Sequence, residues 1–180
     1  MILGPQKLLE LVKTKKLVKN LDKRELTNPE GAGFDLRLGE VFKITGGKAF
    51  LGVTDRQTPD IELVKKYSKT KKSSITIFPN EFYLVTTIEE VNLPHDITAN
   101  FKPRTTTFRS GLFIRTGNVA PGYKGKLTFA IKNEGPLPVT IEMGARVIHI
   151  QFEQVEGGGS MYRGQWQGGR VAAAKKEKQV

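Results

Sequence analysis

An all-β barrel or sandwich is predicted by three features of this chain. Short alternating apolar runs fill residues 33–155, Gly, Pro and Asn turn signals separate them at regular spacing, and only one segment has clear helical periodicity. That segment comes first. Residues 6–18 place Leu8, Leu9, Leu11, Val12 and Val18 at mostly helical spacing with lysines between them, so one amphipathic helix is expected there, starting near Pro5. Phe34-Asp35-Leu36-Arg37-Leu38 then alternates as a strand. Thr58-Pro59 reads as the cap of a short helix over residues 60–67. The rest of residues 50–75 is lysine-rich and weakly patterned, compatible with an insertion or with plain surface. Phe82-Tyr83-Leu84-Val85 follows the turn signal Pro79-Asn80. Further on, Leu127, Phe129 and Ile131 share one strand face, with Lys126, Thr128 and Lys132 on the other. The turn Asn133-Glu134-Gly135-Pro136 leads to Val139-Thr140-Ile141-Glu142, and residues 147–152 make a further strand after Gly144.

Bulk properties narrow the function. A chain of 180 residues fits one domain and is long enough to bury a core. No apolar run approaches the roughly 20 residues of a membrane span, and Met1-Ile2-Leu3-Gly4-Pro5 lacks the basic region and long apolar core of a signal peptide. Zero cysteines remove disulfides, thiolate nucleophiles and Cys-based zinc sites together. A cytoplasmic location and no membrane partner are the resulting expectations. The net charge of +11 suits a polyanionic partner. Nucleic acid is disfavoured, because the aromatic-plus-basic stripes of common RNA-binding modules are missing and part of the excess sits in the tail Lys175-Lys176-Glu177-Lys178, which reads as a solvated end. A nucleoside triphosphate, with about four negative charges, uses the same electrostatics at a smaller scale.

The stretch Pro103-Arg104-Thr105-Thr106-Thr107-Phe108-Arg109-Ser110-Gly111-Leu112 suits such a ligand. A guanidinium offers a rigid fork of donors to phosphate oxygens, and flanking hydroxyls and backbone N–H groups complete the cage. A solvated turn between strands is the bland reading of the same residues. Near the C-terminus, Gly157-Gly158-Gly159-Ser160 is a flexible break. Beyond it lies the polar, aromatic, glycine-rich segment 161–170, with Trp166 and two arginines. These features divide the chain into a β domain, residues 1–156, and a flexible tail, residues 157–180, that acts as a lid folding over an anionic ligand.

Five segments in order resemble the family of dUTP diphosphatases and dCTP deaminases, most closely the archaeal-type diphosphatases. They are Gly31-Ala32-Gly33-Phe34-Asp35-Leu36-Arg37-Leu38-Gly39, the arginine–hydroxyl stretch, Thr116-Gly117-Asn118-Val119-Ala120-Pro121-Gly122-Tyr123-Lys124-Gly125, Gly144-Ala145-Arg146-Val147-Ile148-His149-Ile150-Gln151-Phe152, and Tyr162-Arg163-Gly164-Gln165-Trp166-Gln167-Gly168. The resemblance implies a distorted jelly-roll β-barrel with a short N-terminal helix, assembled as a homotrimer with sites between subunits. It implies that Arg104, Thr105, Thr106 and Arg109 hold the phosphates. Thr116, Gly117, Asn118 and Val119 of a hairpin would read the pyrimidine through backbone groups, and Tyr123 would stack near the deoxyribose. Tyr162, Gln165 and Arg170 would close over the nucleotide, and Mg2+ would arrive on the triphosphate. Asp35 reads as a brace for the arginine loop.

The resemblance also separates two reactions. The deaminases of the family use a glutamate that falls here on Ala130, so no group there can shuttle protons to a leaving amine. The implied activity is therefore hydrolysis of dUTP to dUMP and pyrophosphate. The diphosphatases, however, orient water with an aspartate that falls here on Ala120. A base relocated to Asp35, Asp22 or His149, a silent or slow nucleotide binder, or a substitution that traps substrate all fit that pattern. His149 stands where the family usually has glutamine, and reads first as a structural residue at a strand end.

Overall fold

The computed structural model describes residues 1–179. Helix α1 (Pro5–Lys15) has proline in its first turn, where a missing N–H costs nothing, and it buries Leu8 and Leu11. It stops short of residue 18 because Lys16 turns left-handed at φ 53° and sends its N–H back to the Leu11 carbonyl. Leu17 and Val18 are still buried, but on strand β1 (Val18–Lys19) and its approach. Helix α2 (Lys23–Thr27) follows, capped by the Asp22 side chain, which accepts from the Arg24 N–H at 3.0 Å.

The strands are β2 (Phe34–Gly46), β3 (Phe50–Leu51), β4 (Asp55–Gln57), β5 (Asp60–Lys66), β6 (Ser74–Ile77), β7 (Phe82–Asn92) and β8 (Ile97–Pro103). After the short helix α3 (Thr105–Arg109) come β9 (Leu112–Arg115), β10 (Asn118–Val119), β11 (Lys124–Asn133), β12 (Val139–Glu142), β13 (Arg146–Gln154) and β14 (Glu177–Lys178). Nine of these strands form one antiparallel sheet in the order β10-β8-β13-β2-β7-β11-β9, with β1 also on β7 and β5 also on β2. The sheet curls into a half-barrel, and the all-β expectation holds. Long β2 makes the curl possible: Phe34 to Arg37 pair with β13, while Leu38 to Phe42 pair with β7. Inside the curl lie Phe34, Leu36, Phe101, Phe129, Ile148, Ile150 and Phe152, all buried. Phe34–Phe152 and Phe101–Phe129 meet edge to face at 6.2 and 6.0 Å. Such pairs add about 0.5–1.5 kcal/mol each beyond the area they bury.

The expected helix over residues 60–67 is instead β5. Ile61 sits opposite Ile44 and Leu63 opposite Phe42. The open edge of β2 supplies a ladder of backbone partners, which outweighs a local capping signal. Helices α2 and α3, five residues each, are too short to produce a readable period. One buried ion pair crosses the sheet: Glu89 of β7 is fully buried and receives the Arg37 N–H at 2.8 Å and Nε at 2.7 Å. No helix among the described residues is long and apolar enough to cross a membrane.

Candidate functional site

Strand β8 ends at Pro103 and delivers Arg104 with extended backbone to the start of α3. Thr107 turns inward and its hydroxyl donates to the Val147 carbonyl at 3.0 Å, pinning α3 to β13. Thr105 and Thr106 are left exposed, facing a cavity of about 410 Å³ shared with Arg104, Asp35, His149, Glu30 and Gly31. Asp35 is the hub. Its Oδ2 lies 2.9 Å from Arg104 Nε and 3.1 Å from Arg146 Nη1, and its Oδ1 lies 2.9 Å from His149 Nδ1. Burial pushes this carboxyl's pKa up, but the His149 hydrogen bond and the charges of Arg104 and Arg146 outweigh it and hold the group below the usual carboxylate range. Asp35 is therefore an anion that aims the guanidinium of Arg104. The two terminal nitrogens of Arg104 have no protein partner among the described residues, and the side chain lines the cavity. Glu25 lies behind the hub, fully buried, and accepts the Asp35 N–H at 3.0 Å.

A second cavity, also about 410 Å³, is built by the hairpin and the tail. Gly117, Asn118, Val119 and Ala120 line one side, Tyr123, Leu127 and Thr128 the floor, and Tyr162, Trp166 and Arg170 the cover. Gly122 and Gly125, at φ 80° and 135°, shape the corner between them. Thr116 lies outside the lining: its hydroxyl donates to the Phe101 carbonyl at 2.8 Å and ties the hairpin to β8. Tyr123 packs edge-on against Tyr162 at 5.4 Å and donates its hydroxyl to the Lys126 carbonyl at 2.6 Å. Burial first, and then Tyr162, push its phenol up to about 12, so it stays neutral. The tail is held over the hairpin by the Tyr162 N–H on the Pro121 carbonyl at 2.7 Å and the Gly168 N–H on the Lys124 carbonyl at 2.8 Å. The Gln167 side chain joins them, donating to the Gly122 carbonyl at 3.0 Å and accepting the Lys124 N–H at 2.8 Å. Farther along, Ala173 is buried against Thr58 through two hydrogen bonds.

The structure distributes the sequence candidates unevenly. Arg104, Thr105 and Thr106 share one cavity, and Gly117, Asn118, Val119, Tyr123, Tyr162 and Arg170 share the other. Arg109, at the end of α3, is exposed and lines neither cavity. Gln165 does not line the second cavity; it donates to Glu177 Oε2 at 3.0 Å. Arg170 grips the same carboxylate, with Nη1 2.9 Å from Oε2. Nothing in the sequence marks Glu177 as their partner, since it is one acid among tail lysines. Ala120 lines the second cavity, and Ala130 sits between Leu84 and Arg115 across the ladder. No Asp, Glu or His lines that cavity among the described residues.

The donor set does not fit a protein-held magnesium ion. No three His, Cys, Asp or Glu converge among the described residues, and both oxygens of Asp35 already carry cationic or N–H partners.

Fold and site define a class of protein: a curled antiparallel sheet with a glycine-cornered hairpin covered by its own tail, beside an arginine loop braced by a buried aspartate. The chain belongs to the dCTP deaminase-like family, whose model matches residues 2–155. A "dCTP deaminase, dUMP-forming" of Persephonella marina is 32% identical over 178 residues, covering 98% of this chain and 97% of its own. A "Probable deoxyuridine 5'-triphosphate nucleotidohydrolase" of Methanopyrus kandleri is 32% identical over 128 residues, or 71% of this chain and 80% of that one. A crystal structure of 2'-deoxycytidine 5'-triphosphate deaminase from Agrobacterium tumefaciens matches with TM-score 0.62 at 20% identity, over 86% of this chain and 48% of that chain. The fold is that of the dUTPases and dCTP deaminases. The family handles dUTP-related deoxynucleotides.

Proposed function

We propose that this protein binds dUTP and hydrolyses it to dUMP and pyrophosphate. The observation that carries the reading is the pair of complementary cavities. One offers the hairpin residues 117–120 and an aromatic cover suited to a pyrimidine deoxynucleoside, and the other presents the fork of Arg104 with two hydroxyls suited to phosphate. In the homotrimer we propose, the hairpin and tail of one subunit face the arginine loop of another. The tail, residues 157–180, acts as the cover, and the β domain, residues 1–156, as the frame. Arg104 stabilises charge that develops on the α-phosphate as water attacks in line. Backbone groups of residues 116–119 select uracil over cytosine by hydrogen-bond pattern, and a tight hairpin leaves no room for the 5-methyl of thymine. Deamination of dCTP is disfavoured, because position 130 has no carboxylate to shuttle protons.

Trp166, the only tryptophan, lines the nucleoside cavity and reports on its occupancy. Adding a non-hydrolysable α,β-imido analogue of dUTP is expected to shift its emission, more strongly than the dCTP or dTTP counterparts. Incubation with dUTP and magnesium is expected to yield dUMP and pyrophosphate, with no ammonia from dCTP. Ammonia release, or an emission that ignores all three analogues, would overturn the reading. Recovery of bound dUTP intact would leave a nucleotide binder without turnover.

A further inference from the structure

The hydrolysis proposed above needs a group that takes a proton from water, and position 120 offers only a methyl. We propose that His149, oriented by Asp35, is that general base, acting on the water that attacks the phosphorus held by Arg104. The inference rests on the dUTP-hydrolase reading and adds the residue that performs its chemical step.

Three observations converge. Asp35 is an acceptor-only carboxylate, so the contact of 2.9 Å to His149 Nδ1 places the ring proton on Nδ1 and leaves the lone pair on Nε2. That second nitrogen has no hydrogen-bond partner among the described residues, and the side chain keeps 25% of its surface open. The ring opens into the cavity that Arg104, Thr105 and Thr106 line. Space for it is made by glycine: a Cβ on Gly33 would stand 2.7 Å from Nε2 and 1.9 Å from the Ile150 carbonyl. Finally, Arg104 and His149 are spokes of one buried carboxylate, on Oδ2 and Oδ1 respectively. The phosphate anchor and the base are thereby held in fixed register, which is the requirement for an in-line attack.

The step balances without a further reactant. Water oxygen forms a bond to the α-phosphorus, the bond from that phosphorus to the bridging oxygen breaks, and pyrophosphate leaves with the electron pair. The water proton moves to His149 Nε2, and the imidazolium, still hydrogen-bonded to Asp35, releases it to solvent or to pyrophosphate. The charged groups around the pair are Arg104 from the β8–α3 junction, Arg146 on β13, and Arg24 and Glu25 on α2, with Glu30 on the cavity rim. A histidine that merely satisfies a buried aspartate would make the same Nδ1 contact, so the test must reach beyond stability.

In the full-length protein, His149→Gln is expected to lower kcat for pyrophosphate release by about 10²-fold or more. KM and the affinity for α,β-imido-dUTP, read from Trp166 emission, should stay within a few-fold. The acid limb of the wild-type pH–rate profile should flatten in the variant, and added imidazole should restore part of the activity of His149→Ala. Arg104→Ala separates the roles, because it should lose affinity for the analogue itself. A kcat for His149→Gln near wild type with its acid limb intact would overturn the proposal. So would a wild type that binds the analogue and releases no pyrophosphate. Absence of analogue binding would instead overturn the dUTP reading, and this inference with it.

Discussion

Arg37→Met is expected to lower the midpoint of thermal unfolding by about 6–20 °C. Arg37 places its backbone N–H 2.8 Å and its Nε 2.7 Å from the two oxygens of Glu89, a side chain with no solvent exposure. Its outer nitrogens reach Asp22 at 3.1 Å and the Asn20 carbonyl at 2.6 Å. Removing one partner of a buried pair costs about 3–5 kcal/mol, and each kcal/mol moves a chain of this size by about 2–4 °C. The loss should depend on pH with a definite sign. Burial raises the Glu89 carboxyl above its ordinary range, and Arg37 offsets this only in part. A folded pKa above the unfolded one means the native state holds the proton longer. That contribution is complete below the unfolded carboxylate pKa and is lost as pH rises through the folded value. Without Arg37 the offset disappears, so the variant should lose more at pH 8 than at pH 5. Arg37→Met combined with Glu89→Gln should recover part of the loss and remove most of this pH dependence, since the amide oxygen still accepts the backbone N–H. Scanning fluorimetry at the two pH values checks both. Equal midpoints for wild type and the single variant would refute the pair's structural role.

Gly125→Ala should release the tail. Gly125 sits at φ 135°, and a Cβ there would stand 2.5 Å from Gly168 C and Gly169 N, both backbone atoms that cannot swing aside. The displaced segment carries Tyr162, Trp166 and Arg170, the cover of the cavity proposed to hold the nucleoside. Losing one charge-assisted contact of the Arg170 kind costs about 1.5–3 kcal/mol, so nucleotide affinity should fall about 10–150-fold. Trp166 emission should shift to the red before any nucleotide is added. Removing residues 157–180 should weaken binding to the same degree, and adding Gly125→Ala to the shortened chain should change nothing further. Emission and affinity equal to wild type would mean that the Gly125–Gly168 contact does not hold the cover.

Much of this architecture was legible because its signals are local. Alternation in residues 34–38 and 127–131, and the break at Gly144, placed β2, β11 and β13 where expected. Asp35, read as a brace for the arginine loop, does pair with Arg104. Several of the failures share one cause, which is competition from partners distant in sequence. Residues 60–66 carry a helix cap but lie along the free edge of β2. The Arg37–Glu89 pair joins residues 52 apart, and Gln57 reaches a tail carbonyl 117 residues away. No window of neighbouring residues encodes such contacts. Lys16 ended α1 by adopting a left-handed conformation that its residue type does not announce.

Glu177 gives the chain an anionic competitor of its own. Because that carboxylate sits seven residues from Arg170 and clasps both Arg170 and Gln165, a phosphate reaching Arg170 under the function proposed above would have to displace a tethered rival at an effective concentration of about millimolar order. Orthophosphate or sulfate too feeble to beat that concentration would leave the clasp fastened, whereas a polyphosphate gripping several points at once could open it. Selection for chain length of the anion, and prompt expulsion of a monophosphate product, would then be properties of the tail rather than of the pocket it covers.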